Sequence, residues 1–386
     1  AGVDVWADVV TPSGKTMKVW GFYDIDYRYF GNSSKHSGAD RFIPVSAPHW
    51  HVRFAPVEIG AYRVTVRVKD SSGTSSAQQL SFACVESGDK GFVTLSTDKS
   101  RFVYSDGSPY VPFGSMMPYG TEKIDTYVPK MKDNGMNLVR KWLVNRDKDD
   151  IHRNLEGWDK YSSDTSFPHS GKRSAVKNIS GAGTLVDQSF IGCKPNTYYK
   201  AYAWMRTSSA FNGQAAVYLV EDRADGSTTT RTGNTVGSGK SWTYSEVIFK
   251  TASDAEMLHF KPRALSGSSG TVWVDTCGLY ECDSSGRALV DCNMVWNPSL
   301  EEWNPSQLRM VPLARLEYLL QRCEENGVLV QPCIFDYRLW NTTSPDGFYT
   351  GFFGDWWSDP VSIAQQRRVL RYLVARFGAY RSLFAW

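Results

Sequence analysis

Arg140 lies in the middle of the apolar segment MNLVRKWLV. The segment is too apolar for a solvated edge, which predicts a parallel strand covered on both faces. A guanidinium in such a strand is costly unless it is paired. The sequence therefore predicts a carboxylate partner close to Arg140. The alternative is a structural arginine paired with a carboxylate at a helix end.

Asp336 is a second candidate, because it ends the apolar segment VLVQPCIFD. If this segment is a barrel strand, Asp336 lies at its carboxyl end, where the active sites of such barrels are built. A lone aspartate in this position could equally cap a loop.

A loop crowded with aromatic residues follows Asp336, in the segment YRLWNTTSPDGFYTGFFGDWWS. Sugar rings present C–H faces that pack on aromatic planes, and so many exposed aromatic residues need an explanation. The alternative is a small apolar cluster under the loop. We therefore predict that this loop contacts a saccharide, with the candidates Trp340, Phe348, Tyr349, Trp356 and Trp357.

The elements that must position these residues are strands and helices in alternation. PYVPFG is a short strand, KIDTYVPKMKDNG a helix that stops at Asn134-Gly135, and MNLVRKWLV the next strand. Further on, PSQLRMVPLARLEYLLQRCEENG predicts a helix that ends at Gly327, before the strand that ends at Asp336. Asp359 caps a last helix, whose predicted inner face is Ile363, Leu370, Leu373, Val374 and Phe377, and SLFAW begins a fourth strand.

This order predicts a parallel sheet with helices outside, either an open doubly wound sheet or part of a (β/α)8 barrel. A dinucleotide site is disfavoured, since GSMMPYG does not supply the glycine pattern GxGxxG. The barrel interpretation leaves an unpaired edge, because only four strands are present.

Two further regions have the texture of β-structure. Residues 1–86 predict an immunoglobulin-type β-sandwich, in which Tyr62, Val64, Val66 and Val68 face one way. Residues 152–284 predict a complete sandwich or jelly roll, inserted in a strand-to-helix loop. Trp158, Tyr161, Trp204 and Trp242 are its visible aromatic residues, and the alternating strand around Trp204 favours a core position for that ring.

Composition narrows the classes of function. The net charge is +3, which provides no basic field for nucleic acid. No run of 18 apolar residues occurs, so the sequence predicts no membrane-spanning helix. The 14 Trp and 20 Tyr suit flat platforms for sugars, although several sandwich cores with a Trp each would also account for them. The seven cysteines are scattered without a CxxC pair, and Cys323 and Cys333 fit plain buried thiols.

Three segments together, GFVTLSTDKSRFVYSDGSPYVPFGSMM, MNLVRKWLV and RRVLRYLVARFGAYRSLFAW, resemble clan A glycoside hydrolases close to the family-five cellulase-like barrels. Residues 1–86 resemble the β-sandwich that often precedes such barrels. Residues 152–284 are similar to a jelly-roll carbohydrate-binding module, through LEGWDKY, CKPNTYYKAYAWMRT and VWVDTCGLYEC. The implied domains are a sandwich (1–86), the first part of a TIM barrel (87–151), an inserted module (152–284) and the barrel's continuation to strand four (285–386).

The resemblance implies a secreted, retaining glycoside hydrolase of cellulase or mannanase type that acts on a β-linked polysaccharide or oligosaccharide. Arg140 matches the arginine that orients the nucleophile, and its charge would keep that carboxylate ionised. The resemblance places the acid/base glutamate after LFAW and the nucleophile on a later strand, so we expect both beyond Trp386 and this fragment inactive alone. The segment FDYRLW lacks the histidine common in the family near this strand end.

No cofactor is implied for catalysis. Glu156 and Asp275 resemble positions that hold a structural calcium in such modules. Substrate contacts are implied for Asp336, Trp340, Trp356 and Trp357. The alternative functions are a non-catalytic carbohydrate-binding protein and a cell-surface protein whose sandwiches only space other modules.

Overall fold

The computed structural model describes residues 2–36, 39–117, 123–143, 162–171, 173–295, 310–334 and 358–386. These residues form two compact units. Unit 1 comprises Ala1–Asp24, His49–His152 and Pro312–Trp386, and unit 2 comprises Ile25–Pro48 and Arg153–Val311.

The described elements up to the second unit are β1 (Asp4–Val10), β2 (Thr16–Asp24), β3 (Tyr27–Asn32), β4 (Asp40–Pro44), β5 (His49–Val52), β6 (Gly60–Asp70), β7 (Gly73–Ser76), β8 (Leu80–Cys84), β9 (Val93–Leu95), β10 (Phe102–Tyr104), β11 (Pro109–Tyr110), β12 (Gly114–Met116), α1 (Ile124–Asp133) and β13 (Leu138–Trp142). The later elements are β14 (Ser162–Asp164), β15 (Ser174–Ser180), β16 (Gly183–Thr184), β17 (Gln188–Gly192), β18 (Tyr198–Thr207), β19 (Ala215–Ala216), β20 (Tyr218–Arg223), β21 (Thr228–Thr232), β22 (Thr243–Lys250), β23 (Ala255–Phe260), β24 (Arg263–Ala264), β25 (Ser269–Glu281), α2 (Met310–Asn326), β26 (Leu329–Cys333) and α3 (Pro360–Phe377).

The N-terminal strands of unit 1 form one antiparallel sheet in the order β5-β2-β1-β6-β7, with β8 also paired to β6. The predicted inward face of β6 is confirmed, since Tyr62, Val64 and Val66 pack with Ala7 and Val9. The immunoglobulin-type sandwich predicted for residues 1–86 stays a prediction. Within this range, the hairpin β3–β4 belongs to unit 2.

The strand-helix-strand order predicted from the sequence is present in unit 1, but the first strand was predicted too early: it is Gly114–Met116, which starts at the last residue of the predicted segment, and Pro109–Tyr110 pairs in a separate antiparallel sheet. Strands β12, β13 and β26 form a parallel sheet, and a parallel bridge between Val330 and Leu383 begins the fourth strand. Helix α1 buries Ile124, Val128 and Met131, and ends where Asn134-Gly135 was predicted to stop it. The described residues form no closed barrel, so the TIM barrel stays a prediction.

Helix α2 ends, and helix α3 begins and ends, close to the predicted residues, whereas the predicted start of α2 lies outside the described residues. Helix α2 stops before Gly327, whose φ of 69° is in the region that favours glycine. The predicted inner face of α3 is partly wrong: Leu373 and Phe377 are buried, but Leu370 and Val374 are exposed by 37% and 51%. Val369 is buried instead, because the helix turns a neighbouring row of side chains inward.

A buried ion network joins α3 to α2 and β2 inside unit 1. Arg376 is only 1% exposed, and its guanidinium contacts Asp24 at 2.7 Å and Glu317 at 2.9 Å. Arg53 reaches Glu317 at 2.6 Å, and the Tyr380 hydroxyl donates to it at 2.8 Å. Burial alone would raise the pKa of Glu317, but the charges of Arg376 and Arg53 outweigh burial and lower it.

Unit 2 is a β-sandwich of two main sheets. One has the order β14-β15-β25-β18-β22 and the other β17-β23-β20-β21, with the short sheet β16-β24-β19 beside them. Their inward side chains form one large apolar core, which includes Tyr199, Met205, Leu219, Phe260 and Val274. A β-sandwich is therefore confirmed for this region.

Within unit 2, the loop of the hairpin β3–β4 packs on strand β23 through polar contacts. Both carboxylate oxygens of the buried Glu256 accept hydrogen bonds from this loop, at 3.0 Å from the Ser33 hydroxyl and at 2.7 and 2.9 Å from the Ser34 amide and hydroxyl. No local feature of the sequence indicates that this hairpin packs apart from the N-terminal strands that flank it.

Candidate functional site

Strand β18 has one face in the core of unit 2 and the other face turned outward. Tyr199, Ala201, Ala203 and Met205 are fully buried, and the residues between them are half-buried. Because side chains alternate along a strand, the outward row contains Lys200, Tyr202, Trp204 and Arg206. The preference for a core position at Trp204 was therefore wrong: its ring is on the face opposite the core.

The neighbouring strands continue this face with more aromatic rings. Tyr244 on β22 is opposite Trp204, and Tyr280 on β25 is opposite Lys200. Six half-buried side chains form what we call the aromatic strip: His169, Tyr202, Trp204, Trp242, Tyr244 and Tyr280.

Neighbouring rings of the aromatic strip contact one another across the strands. The centroid of Tyr202 lies 5.3 Å from that of Tyr244 and 6.2 Å from that of Tyr280. The centroid of Trp204 lies 5.4 Å from that of Tyr244 and 4.3 Å from that of His169, which is stacked on it. These separations fall in the range of attractive ring pairs, so the rings hold one another in place.

A glycine under the strip gives Tyr202 its position. Gly278 is the register partner of Tyr202 on β25, and a Cβ at Gly278 would overlap the tyrosine ring. The absence of a side chain at Gly278 lets the ring lie flat over the neighbouring strand.

Asp275 positions the loop that carries His169. Its side chain is fully buried, and one carboxylate oxygen accepts the amides of His169 at 2.8 Å and Ser170 at 3.2 Å. The other oxygen accepts the amide of Thr276 at 2.6 Å. The Thr276 hydroxyl contacts His169 Nδ1 at 2.8 Å, which fixes the imidazole against Trp204.

Polar groups border the aromatic strip. Lys200 Nζ lies 2.7 Å from Glu246 Oε2, and this hydrogen bond raises the pKa of Lys200. Burial raises the pKa of the Tyr244 phenol, so it remains protonated and available as a donor at neutral pH. Flat apolar rings beside charged and hydroxyl groups are suited to binding a ligand that has both C–H faces and hydroxyl edges.

Arg140 lies near the carboxyl end of β13, in register with Met116 and Gln331. The prediction that it is buried was wrong. Val139 is fully buried, but Arg140 points to the opposite face of the sheet and is exposed. Its Nε contacts Cys333 Sγ at 3.0 Å, and in the described part of the chain it forms no ion pair with a carboxylate.

The other predicted site residues divide into two groups. Asp336, Trp340, Trp356, Trp357 and Glu156 lie outside the described residues, and so do the companion candidates Phe348 and Tyr349. Asp275 is described, and its oxygens accept backbone amides. The structural calcium predicted at Glu156 and Asp275 stays a prediction.

The two cysteines that were predicted to be plain buried thiols, Cys323 and Cys333, differ in burial. Cys323 is a fully buried free thiol, and burial raises its pKa to about 12. Cys333 is only partly buried and accepts the contact from Arg140.

Sequence reasoning missed the aromatic strip as a unit, although a signal was present. The alternation in YYKAYAWMRT puts Lys200, Tyr202, Trp204 and Arg206 on one face, and small alanines on the other. What the alternation could not reveal is which face the core covers.

No protein-family model and no curated protein match this chain. Among solved structures, it is similar to a Family 16 Carbohydrate Binding Module-2, with 20% identity, a TM-score of 0.25, and coverage of 33% of this chain and 89% of the other. The C-terminal family 22 carbohydrate binding module of Clostridium thermocellum Xyn10B has 14% identity, a TM-score of 0.27, and coverage of 32% and 80%.

A longer match is a protein from Bacteroides vulgatus ATCC 8482 that is provisionally named a glycoside hydrolase. Its identity is 13% and its TM-score is 0.41, with coverage of 99% of this chain and 44% of the other. This chain therefore spans less than half the length of that protein. Separately, none of the helices in the described ranges is long and apolar enough to cross a bilayer.

Proposed function

We propose that this chain is part of a secreted, modular carbohydrate-active protein, in which unit 2 binds a β-linked polysaccharide on the aromatic strip. The observation that carries this proposal is the connected set of rings on the outer face of β18, β22 and β25, with centroids 4.3–6.2 Å apart. The strip does not belong to the core of unit 2, so the packing of that core does not account for it.

The chemistry of the strip suits a saccharide better than other ligands. The rings pack against one another, and the Tyr202 ring lies over Gly278. Rings positioned in this way lose little conformational entropy when a ligand binds. Lys200, Glu246 and the tyrosine hydroxyls supply donors and acceptors for sugar hydroxyls. No large basic field accompanies the rings, since the chain has a net charge of only +3, which disfavours nucleic acid.

We further propose that unit 1 is the first part of the (β/α)8 barrel of a retaining hydrolase of cellulase or mannanase type. The support is the parallel sheet β12-β13-β26 and the position of Arg140 near the carboxyl end of β13. In this proposal Arg140 is a positioning residue for the nucleophilic carboxylate of the whole protein, and substrate contacts extend to Asp336, Trp340, Trp356 and Trp357. The exposed face around Arg140 is where later strands would bring that carboxylate.

Binding is tested by titrating the full chain with soluble cello-, manno- and xylo-oligosaccharides in a calorimeter. We expect at least one oligosaccharide series to bind the unaltered chain. We expect the dissociation constant for that series to rise by about thirtyfold in Tyr244→Ala and in Trp204→Ala. Such a loss corresponds to about 2 kcal/mol, the cost of truncating a central aromatic contact.

Tyr218→Ala is the matched control, because Tyr218 is a half-buried ring on the other main sheet of unit 2. We expect it to bind as the unaltered chain does. If no oligosaccharide binds, or if Tyr218→Ala weakens binding as much as Tyr244→Ala, the strip is not the binding face.

The hydrolase part is tested on the natural gene product by measuring release of reducing ends from the polysaccharide that binds. We expect Arg140→Ala to lower kcat/KM by about a hundredfold, because removing one electrostatic contact in an active site has an effect of that order. We expect no change for Lys132→Ala, at an exposed position in α1. Binding without release of reducing ends would leave the alternative, a non-catalytic carbohydrate-binding or cell-surface protein.

A further inference from the structure

A second cluster of reactive side chains lies in unit 2, on a different sheet from the aromatic strip. Asp222 Oδ2 is 2.7 Å from Nε2 of His36 and 2.5 Å from Nε2 of His259. Lys35 Nζ lies 2.9 Å from the other carboxylate oxygen of Asp222. Two imidazole nitrogens therefore converge on one oxygen, and a lysine holds the second oxygen.

The fold supplies these three residues from separate elements. Asp222 is on β20 and His259 on β23, which pair antiparallel, with Val220 opposite His259 and Asp222 opposite Met257. Asp222 and His259 therefore share one face of the sheet. His36 comes from the loop between β3 and β4, which covers this face.

The residues of the cluster that lie on the sheet are buried, and the residue that lies on the loop is partly exposed to solvent. The side chains of Asp222 and His259 are 2% and 9% exposed, whereas that of His36 is 31% exposed. A group bound between the three residues would be held by two buried side chains and would face solvent beside His36.

The donor set is that of a transition-metal site. The two imidazole nitrogens and the carboxylate oxygen all lie within 4.8 Å of one another. Two histidines and one carboxylate are a recurring ligand set for Zn²⁺ and related divalent ions, with a fourth position left to water. Lys35 would donate a hydrogen bond to the Asp222 carboxylate oxygen that does not bind the ion, as is common for carboxylates that ligate metals.

We propose that His36, Asp222 and His259 bind a divalent transition-metal ion, with Zn²⁺ as the first candidate. Ligand atoms around tetrahedral zinc are about 3.3 Å apart, so the imidazoles would move outward by less than 1 Å to admit the ion. The loop at His36 is the element that provides this movement. The bound ion would fasten the hairpin β3–β4 to the second sheet of unit 2.

A hydrogen-bonded clamp without metal is the competing account, in which both imidazoles donate Nε2–H to Asp222. The two accounts differ in a measurable way. A clamp has no affinity for zinc, and a metal site loses one bound ion when either histidine is replaced.

The test uses the full chain after treatment with a chelator and its removal. Zinc is titrated by calorimetry, and bound zinc is counted by mass spectrometry of the metal after gel filtration. We expect His36→Gln to bind one equivalent fewer than the unaltered chain, while any zinc bound elsewhere is unchanged. Zinc should also raise the melting temperature of the unaltered chain and leave that of His36→Gln unchanged.

His36→Gln is the decisive variant, because His36 is partly exposed on a loop and its replacement leaves the core intact. His259→Gln and Asp222→Asn should show the same loss of one equivalent if they remain folded by circular dichroism. His169→Gln is the matched control, since it removes an imidazole from the aromatic strip, and it should retain the equivalent. Cobalt substitution should give the visible absorption of tetrahedral Co²⁺, which His36→Gln should lack.

Equal zinc stoichiometry in the unaltered chain and in His36→Gln would overturn the proposal in favour of the clamp. The result is independent of sugar binding, which is measured on the other sheet. Failure of the metal site would therefore leave the binding role of the aromatic strip untouched, and the reverse also holds.

Discussion

Arg376 and Arg140 illustrate how one physical rule applies to two arginines with different outcomes. A guanidinium in a covered element requires carboxylate partners. Arg376 meets that condition, since it is buried and contacts both Asp24 and Glu317. Arg140 does not, because its side chain is on the uncovered face of its strand. The pairing rule therefore applies to Arg376, whereas the exposed Arg140 does not require a carboxylate partner.

Replacing Arg376 by methionine should destabilise unit 1 by about 3–5 kcal/mol. The physical reason is that the carboxylates of Asp24 and Glu317 would both lose their contact with the buried guanidinium, and removing one partner of a buried ion pair is strongly destabilising. The measurement is native-state hydrogen exchange of the α3 amides, which reports the opening free energy of unit 1 alone.

Arg371→Met is the matched control on the same helix. Arg371 pairs with Asp4 at 3.0 Å, but its side chain is 44% exposed. An exposed pair contributes only about 0.2–1 kcal/mol. Equal losses in the two variants would show that the buried network stabilises unit 1 no more than a surface pair does.

Strand β12 shows how an element depends on a small residue at one point. Gly114 is the register partner of Leu138 on β13, and a Cβ at Gly114 would overlap the Leu138 carbonyl oxygen. The obstacle is backbone, which has no alternative rotamer. The first strand of the parallel sheet can therefore approach the second only because this position lacks a side chain.

Gly114→Ala should destabilise the parallel sheet of unit 1 by about 1–3 kcal/mol, the usual range for overpacking. Hydrogen exchange of the β13 amides is the measurement. Gly88→Ala is the control, since a Cβ there meets nothing within 4 Å, and we expect its effect to stay within about 0.5 kcal/mol. Protection of β13 that is unchanged in Gly114→Ala would refute the close approach of these strands.

The hairpin β3–β4 is an element whose place in the chain does not indicate its place in the fold. Its flanking strands β2 and β5 pair with each other in unit 1, at Phe22 opposite His51 for example. The hairpin itself packs on unit 2, where the Ser33 and Ser34 contacts with Glu256 span more than 220 residues. Local patterns contain no information on such a distant partner.

At the scale of the whole molecule, the chain forms each unit from separated stretches. Unit 1 uses three stretches and unit 2 uses two. The insertion after β13 could be predicted, because the composition changes there from helix-and-strand alternation to β-texture. The hairpin's assignment to unit 2 could not be, because Ile25–Pro48 has the same texture as the strands around it.

The local elements of this protein are readable from short stretches of its sequence. The apolar period of α1 and its stop at Asn134-Gly135, the alternation of β6 and of β18, and the order of parallel strands all follow from short-range sterics and side-chain direction. Two rings of the aromatic strip, Tyr202 and Trp204, were also present in that alternation, on one side of β18.

Which face of each element is covered depends on tertiary packing. It buried Arg376 by bringing in Asp24, which is 352 residues away in sequence, and it left Arg140 exposed. It likewise placed the face of β18 that contains Trp204 away from the core, and it brought His36 into contact with Asp222. The physical reason is that burial depends on what packs against an element, and those partners are distant in the chain.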